Sequence, residues 1–301
     1  MKQKAGGEMD IRVLNYFLMV AREENITKAA EVLHITQPTL SRQLMQLEDE
    51  LGAQLYIRGK NKITLTEEGM LLRRRAEEIV DLADKTEREF LQREDLIAGE
   101  IYIGAGETYA MRQVAKMMKE FSIQYPQVQY HLFSGQADDI KERIDKGLID
   151  FGLLTEPVDI EKYDFARLNY KERWGIIVPN DSVLASKEYV TPQDLINQPL
   201  LIPQRSIVQN EIAHWFGEDH EKLNIIATHN LIYNAAIWVA EGMGYAFTID
   251  KLFYGDEEIP VTFVPLYPTL ETGTVIVWKK HQIFSPAMSR LIEKIRQTFK
   301  A

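Results

Sequence analysis

The sequence predicts a chain of two fold classes: a helical N-terminal module with a small β-hairpin, arranged as a winged helix-turn-helix, then a long helix leading into an α/β domain. Three observations predict it. Apolar residues recur at helical spacing through the first fifty positions. A charged stretch with a heptad of apolar positions follows, and beyond Gly99 short apolar runs alternate with amphipathic segments. The 301 residues, 45% of them hydrophobic, suit two or three domains with real cores. The expected boundaries are 9–66, 67–98 and 99–301.

Val13, Leu14, Phe17, Leu18 and Ala21 place one apolar face on a first helix. Asn25-Ile26-Thr27 breaks it, and Thr27 is expected to cap a second helix from Lys28 to Leu33, whose Ala29 and Ala30 admit a close neighbour. Thr36 is expected to cap a third helix, with Pro38 early enough to cost no hydrogen bond. There Leu40, Leu44, Leu47 and Leu51 form a single stripe, and Gly52 ends it. Gln37, Thr39, Ser41, Arg42 and Gln46 flank or oppose that stripe, and such side chains suit base edges and phosphates. Residues 55–66 read as a hairpin whose Arg58, Lys60 and Lys62 have no acid among them, which suits a wing on phosphates or, equally, a solvated hairpin.

The charge is divided accordingly. Residues 1–75 hold 12 Lys and Arg against 10 Asp and Glu, whereas the rest of the chain holds 23 against 35. The formal net charge of −10 therefore belongs to the later part. With no cysteine, disulfides and thiolate catalysis are excluded. His34, His131, His214, His220, His229 and His281 show no metal-binding spacing, and neither GxSxG nor a Walker loop is present, so no catalytic residue, metal or cofactor is expected. No apolar run is long enough to span a bilayer, and no apolar stretch follows Lys2 and Lys4, so a cytoplasmic protein without a membrane partner is expected.

In the connector, Leu72, Ala76, Ile79, Ala83, Thr86 and Phe90 alternate in steps of four and three, a heptad seam among charged neighbours. A helix so polar is expected to meet a partner helix in a homodimer; the alternative is packing on its own chain. Beyond the hinge at Ala98-Gly99, strands are expected at 101–104, 128–133, 149–154, 174–178, 200–202, 245–249 and 275–278. Helices are expected at 111–121, 137–146, 232–241 and 286–299, and Thr191-Pro192 opens another with Asp194 placed for a capping box. The alternation predicts a parallel sheet with helices on its faces.

The stretch Leu14-Asn15-Tyr16-Phe17, Thr27-Lys28-Ala29-Ala30, Gln37 to Leu44, Leu47-Glu48, Leu51-Gly52, Leu55-Tyr56 and Leu65-Thr66 resembles the signature of LysR-type transcriptional regulators. Ile57 and Glu68 depart from it, standing where an acid and a small residue are common. The resemblance implies that Gln37, Pro38, Ser41 and Arg42 meet the groove of double-stranded promoter DNA, with Thr27, Thr36 and Arg58 near its backbone. Gly147 to Asp150, Val178-Pro179, Asp194-Leu195 and Val239 to Gly244 carry it into the second half, which is similar to that family's effector domain and to periplasmic ligand-binding proteins. Two lobes are implied, one of about 99–169 with 273–301, the other of about 170–272. A homodimer, a homotetramer and RNA polymerase are implied partners, as is a small-molecule effector that switches the oligomer's arrangement on DNA.

Ligands of open α/β sheets bind beyond the carboxyl ends of strands. The corresponding loops hold Gly106, Glu107 and Thr108; Ser134, Gly135 and Gln136; Thr155 and Glu156; Gln204 and Arg205; and Thr228 and His229. Thr108 and Ser134 are expected near helix N-termini, which favour anions. With Arg205 they point to a carboxylate or an amino acid as effector, while helix capping and solvation are the simpler roles for each residue. A transport solute-binding protein shares the two-lobed form but not the N-terminal reader, and an enzyme lacks its motifs here.

Overall fold

A computed structural model of the chain describes residues 9–59, 62–90, 97–252 and 258–299, with the backbone alone for Arg58 and residues 88–90. The expected phosphate ligand Lys60, and the side chains of Arg58 and Phe90, lie outside the described residues. The chain divides into two units, Met1–Leu91 and Gln92–Ala301.

In the first unit, α1 (Ile11–Glu23) starts where the Asp10 carboxylate accepts from the Arg12 N–H at 2.8 Å. Helix α2 (Ile26–Val32) is capped by Asn25, whose side chain accepts from the Lys28 N–H at 3.1 Å. Thr27 is therefore not the cap. The helix begins early enough to bury Ile26, leaving Thr27 exposed inside the first turn. Helix α3 (Gln37–Leu51) is capped by Thr36 and ends at Gly52, whose φ of 65° is left-handed and suits glycine. Leu40, Leu44 and Leu47 pack with Phe17, Val20, Ala29 and Ala30. Leu51, expected in the same stripe, is 44% exposed because the helix has already passed beyond its neighbours.

Strands β1 (Tyr56–Arg58) and β2 (Ile63–Leu65) pair antiparallel as the wing. Lys62 does have an acid, since Glu24 at the end of α1 lies 3.4 Å from its ammonium. Both are exposed, so this pair contributes little. The Thr66 hydroxyl accepts from the Gly69 N–H at 3.0 Å and opens α4 (Glu67–Phe90). Ala76 and Val80 are buried against Leu14 of α1, with Leu72 and Ile79 partly buried beside them. Ala76 is thus consumed within the chain, because the outer face of α1 needed cover, and cannot serve a partner seam. Exposed on α4 instead are Met70, Leu71 and Leu82.

The second unit runs β3 (Gly99–Ala105), α5 (Met111–Gln124), β4 (Val128–Ser134), α6 (Ala137–Asp145) and β5 (Phe151–Thr155) before a seventeen-residue strand, β6 (Tyr163–Pro179). Then come α7 (Pro192–Leu195), β7 (Pro199–Pro203), α8 (Ser206–Phe216), β8 (Asn224–His229), α9 (Ile232–Ala240), β9 (Tyr245–Ile249), β10 (Val261–Pro265), β11 (Glu271–Lys279) and α10 (Pro286–Thr298). The Asp194 carboxylate accepts from the Thr191 N–H at 2.9 Å and from its hydroxyl at 3.0 Å, the expected capping arrangement. Strand order is β4-β3-β5-β11-β6-β9-β7-β8, with β10 also on β6.

The sheet is mixed, not parallel. β3 pairs parallel with β4 and β5, and β7 with β8 and β9, but β11 runs antiparallel to β5 and β6, as β6 does to β9 and β10. The reason is that β6 leaves the first lobe and β11 returns to it, so the two crossings run in opposite directions. Each lobe is buried on both faces of its strands. Leu153 and Ile276 face the core under α5 and α10, while Leu154 and Val275 face α6. In the second lobe Ile176 and Leu200 pack with α8, and Ile177 and Leu201 with α9.

Gly69 packs on the wing so closely that a Cβ there would stand 1.9 Å from the Leu55 carbonyl oxygen. Gly69→Ala is expected to cost about 1–3 kcal/mol through forced separation of α4 from the hairpin. Gly106→Ala, where a Cβ would meet nothing nearer than 3.7 Å, is the neutral control in denaturant unfolding. Equal midpoints for the two variants would show that the contact yields freely.

Candidate functional site

On α3 the stripe of buried leucines turns Gln37, Pro38 and Arg42 outward, all exposed, with Ser41 half-exposed beside them. The Gln37 amide donates to the Ser41 hydroxyl at 2.8 Å, and the Thr36 and Thr39 hydroxyls bond each other at 2.8 Å. These short polar groups hold one another one turn apart along the first half of the helix. Arg42 makes no hydrogen bond or ion pair with any described residue, so its guanidinium stands free for an external acceptor.

The second unit holds a cavity of about 110 Å³ lined by residues of both lobes. Of the expected effector residues, Gly106, Glu107, Gly135, Thr155, Arg205 and His229 line it. Thr108, Ser134, Glu156, Gln204 and Thr228 do not. Ser134, Gln204 and Thr228 are exposed elsewhere, and Glu156 pairs with Arg167 at 3.4 Å. Thr108 is buried, and its hydroxyl donates to the Glu172 carboxylate at 2.7 Å. That carboxylate also accepts from the Tyr109 N–H at 2.7 Å and the Ala110 N–H at 3.2 Å, so the start of α5 already has its anion. A carboxylate effector between Thr108 and Arg205 is therefore not what the geometry offers. Burial pushes the Glu172 carboxyl above its ordinary range, against the pull of these donors.

The charged lining residues are committed across the cleft. Glu107, from the first lobe, accepts from the Ile232 N–H at 2.5 Å and so occupies the N-terminus of α9 in the second. Arg205, from the second lobe, donates to the Pro157 carbonyl at 3.1 Å and the Thr155 carbonyl at 3.5 Å in the first. Its Nε lies 3.5 Å from an Asp138 carboxylate oxygen, an ion pair without an aligned hydrogen bond.

Leu153, Leu154, Trp174, Val208, Phe247, Ile249 and Leu252 supply the apolar wall. Sequence reasoning placed Trp174 and Phe247 in core strands, and no local signal separates a core position from the one where a strand emerges into a cleft. Gln136 was part of an expected loop but not singled out, although its side-chain oxygen is buried there without a partner.

His229 ends β8, with its Nε2 buried and unpartnered. Burial pushes the imidazole down to about 4, opposed by its hydrogen bond to the Phe247 backbone. The unfolded chain takes up this proton near 6.5, so between pH 6.5 and about 4 the unfolded state binds more protons. Stability attributable to the neutral ring is complete above that window and lost as pH falls through it, by up to about 3 kcal/mol. The difference in unfolding free energy between wild type and His229→Phe is expected to vary across pH 6.5–4 with that sign. A constant difference would place the ring in water.

Two family models match the chain: the bacterial regulatory helix-turn-helix protein of the lysR family over residues 11–70, and the LysR substrate binding domain over residues 94–300. The chain is 26% identical to the uncharacterized HTH-type transcriptional regulator YcgK of Bacillus subtilis, covering 97% of this chain and 95% of that protein. It is 27% identical to the Hca operon transcriptional activator HcaR of Escherichia coli, covering 96% and 98%. Among solved structures, CbnR, a LysR family transcriptional regulator, superposes with a TM-score of 0.77 at 20% identity, covering 97% of this chain and 100% of CbnR. With both models matched in order across a winged reader and a two-lobed α/β domain, the chain belongs to the LysR family of DNA-binding transcriptional regulators with an effector-binding domain.

Proposed function

We propose that this regulator reads promoter DNA through α3 and the wing, and that a small molecule in the inter-lobe cavity changes the arrangement of its homo-oligomer on that DNA. The observation that carries the reading is the set of bonds across the cavity. Glu107 and Arg205 each bind the opposite lobe, so a molecule entering there meets both lobes and biases the angle between them. A ligand shifts such an equilibrium only by its different affinity for the two arrangements, and a site built from both lobes supplies that difference.

Gln37, Pro38, Ser41 and Arg42 are the proposed base-reading residues, with Thr27, Thr36, Arg58, Lys60 and Lys62 on phosphates. Support comes from the exposed polar face of α3 and from CbnR, solved in complex with its target DNA, whose fold this chain shares with a TM-score of 0.75 at 20% identity. The proposed pairing surface on α4 is the exposed Leu71 and Leu82 with the half-buried Ala83, joined by the outer sides of Leu72 and Ile79, which also pack toward α1, and by Phe90 from its heptad position in the sequence. An exposed stripe of this kind on a charged helix gains stability by meeting a second copy. Boundaries near 9–66, 67–98 and 99–301 go with these roles.

Arg42→Ala is expected to weaken binding to DNA selected for tight association by about 1–3 kcal/mol at fixed salt, with an unchanged melting temperature. Undiminished affinity would remove Arg42 from the reading face. Lys62→Ala is expected to weaken all sequences alike and to lower the slope of log K against log salt by about one. Sedimentation of the full chain at micromolar concentration is expected to give a dimer or larger. A monomer under those conditions would overturn the oligomer part of the proposal.

A further inference from the structure

Resting on the reading of the cleft as the effector site, we propose that it takes an uncharged, ring-sized apolar molecule bearing a hydroxyl, of the phenol class, in place of a carboxylate or an amino acid.

The size argument comes first. A cavity of about 110 Å³ is of the same order as the roughly 150 Å³ apolar cavity that accepts benzene, which limits the ligand to about one ring. Its wall is Leu153, Leu154, Trp174, Val208 and Phe247, which favours a flat apolar body.

The charge argument excludes the alternatives. Among the described lining residues one is an acid and one a base, and both bond the opposite lobe. The N–H at the start of α9 is taken by Glu107, and the Arg205 guanidinium holds two carbonyls beside Asp138. A carboxylate entering here would meet only the Arg205 Nε, whose charge already faces Asp138, and an ammonium would meet only neutral acceptors, so either would be a buried charge without a free counter-charge, which is costly.

The remaining polar atoms define the functional group. The His229 Nε2 is buried at the cavity without a partner, and the Phe247 backbone favours a proton on the ring. We place the neutral ring's proton on Nδ1 accordingly. A neutral imidazole that donates from Nδ1 presents Nε2 as a bare acceptor. Nearby, the Gln136 side-chain oxygen is also buried without a donor. Buried acceptors without partners are rare in native structures, and here they flank an apolar cavity. A carboxylate cannot satisfy them, since it only accepts. A hydroxyl donates to one of them and offers a lone pair to the unbonded Arg205 Nε, so one group serves both kinds of atom.

Calorimetric titration of the full chain at pH 7.5 with phenol, toluene and benzoate tests this, because the three share a ring and differ in donor and charge. Phenol is expected to bind about tenfold more tightly than toluene, the value of one hydrogen bond, with benzoate weakest. His229→Phe is expected to abolish the phenol preference while sparing toluene, and His229→Gln, which keeps an acceptor, to recover part of it. If the His229 variants do not fold, the ranking in wild type decides alone. Benzoate binding more tightly than phenol, or toluene matching it, overturns the ligand class. Gly106→Leu separates that failure from failure of the cleft reading, since its Cβ meets only the Gly135 carbonyl at 3.7 Å and a larger side chain on this lining residue occupies cavity space. Abolished benzoate binding in that variant leaves the site standing and the class wrong. Phenol binding that survives it, or no binding of any probe to wild type, overturns both.

Discussion

Between Tyr163 and Pro179 the backbone stays extended for seventeen residues while its neighbours change from β11 alone to β9 and β10. The strand belongs to the first lobe at one end and to the second at the other, and β11 returns beside it with an irregularity between Gly273 and Val275. Everything in the second unit is hung on this pair. At their shared stretch Glu172 is fully buried and gathers the Thr108 hydroxyl and two N–H groups at the start of α5. A carboxylate so placed would be costly unpaired, so its donors cannot be removed without loss. It therefore ties the first helix of the first lobe to the strand that leads out of it.

How much of this was legible varies with how local the cause is. Runs such as Leu153-Leu154, Ile176-Ile177-Val178 and Leu200-Leu201-Ile202 were readable as strands because both faces are buried, which leaves no polar alternation to confuse them. The capping box at Thr191 and the cap at Thr36 were readable because their bonds span three residues. Strand β8 was not predicted. Its Ile225 and Ile226 are exposed at a sheet edge, so the pattern carries no buried face to report it. The mixed direction of the sheet was also hidden, since direction depends on where β11 returns and not on its composition.

The site divides the same way. Which loops gather around the cavity followed from a rule about strand ends, and six expected residues lie there. What each does is a long-range matter. Thr108 was expected to receive a ligand, but Glu172, sixty-four positions later, takes its hydroxyl. Glu107 reaches Ile232 across 125 positions, and Arg205 reaches Thr155 across fifty. No spacing rule detects a partner at such separations. The same holds for Ala76, whose heptad position was correct as periodicity yet is filled by Leu14 of its own chain.

The bond from Glu107 to α9 has one more consequence, for how quiet the molecule is at rest. A hydrogen bond to a charged group contributes about 1.5–3 kcal/mol. If that bond alone held the lobes in register, roughly one molecule in ten to one in a hundred would have it broken at any moment. Arg205 adds a second tie of the same kind on the opposite loop. These two side chains thus add to the β6–β11 crossing in holding the lobes at rest. In the proposed switching role, changes at either position would alter that resting arrangement and leave the DNA-reading face intact.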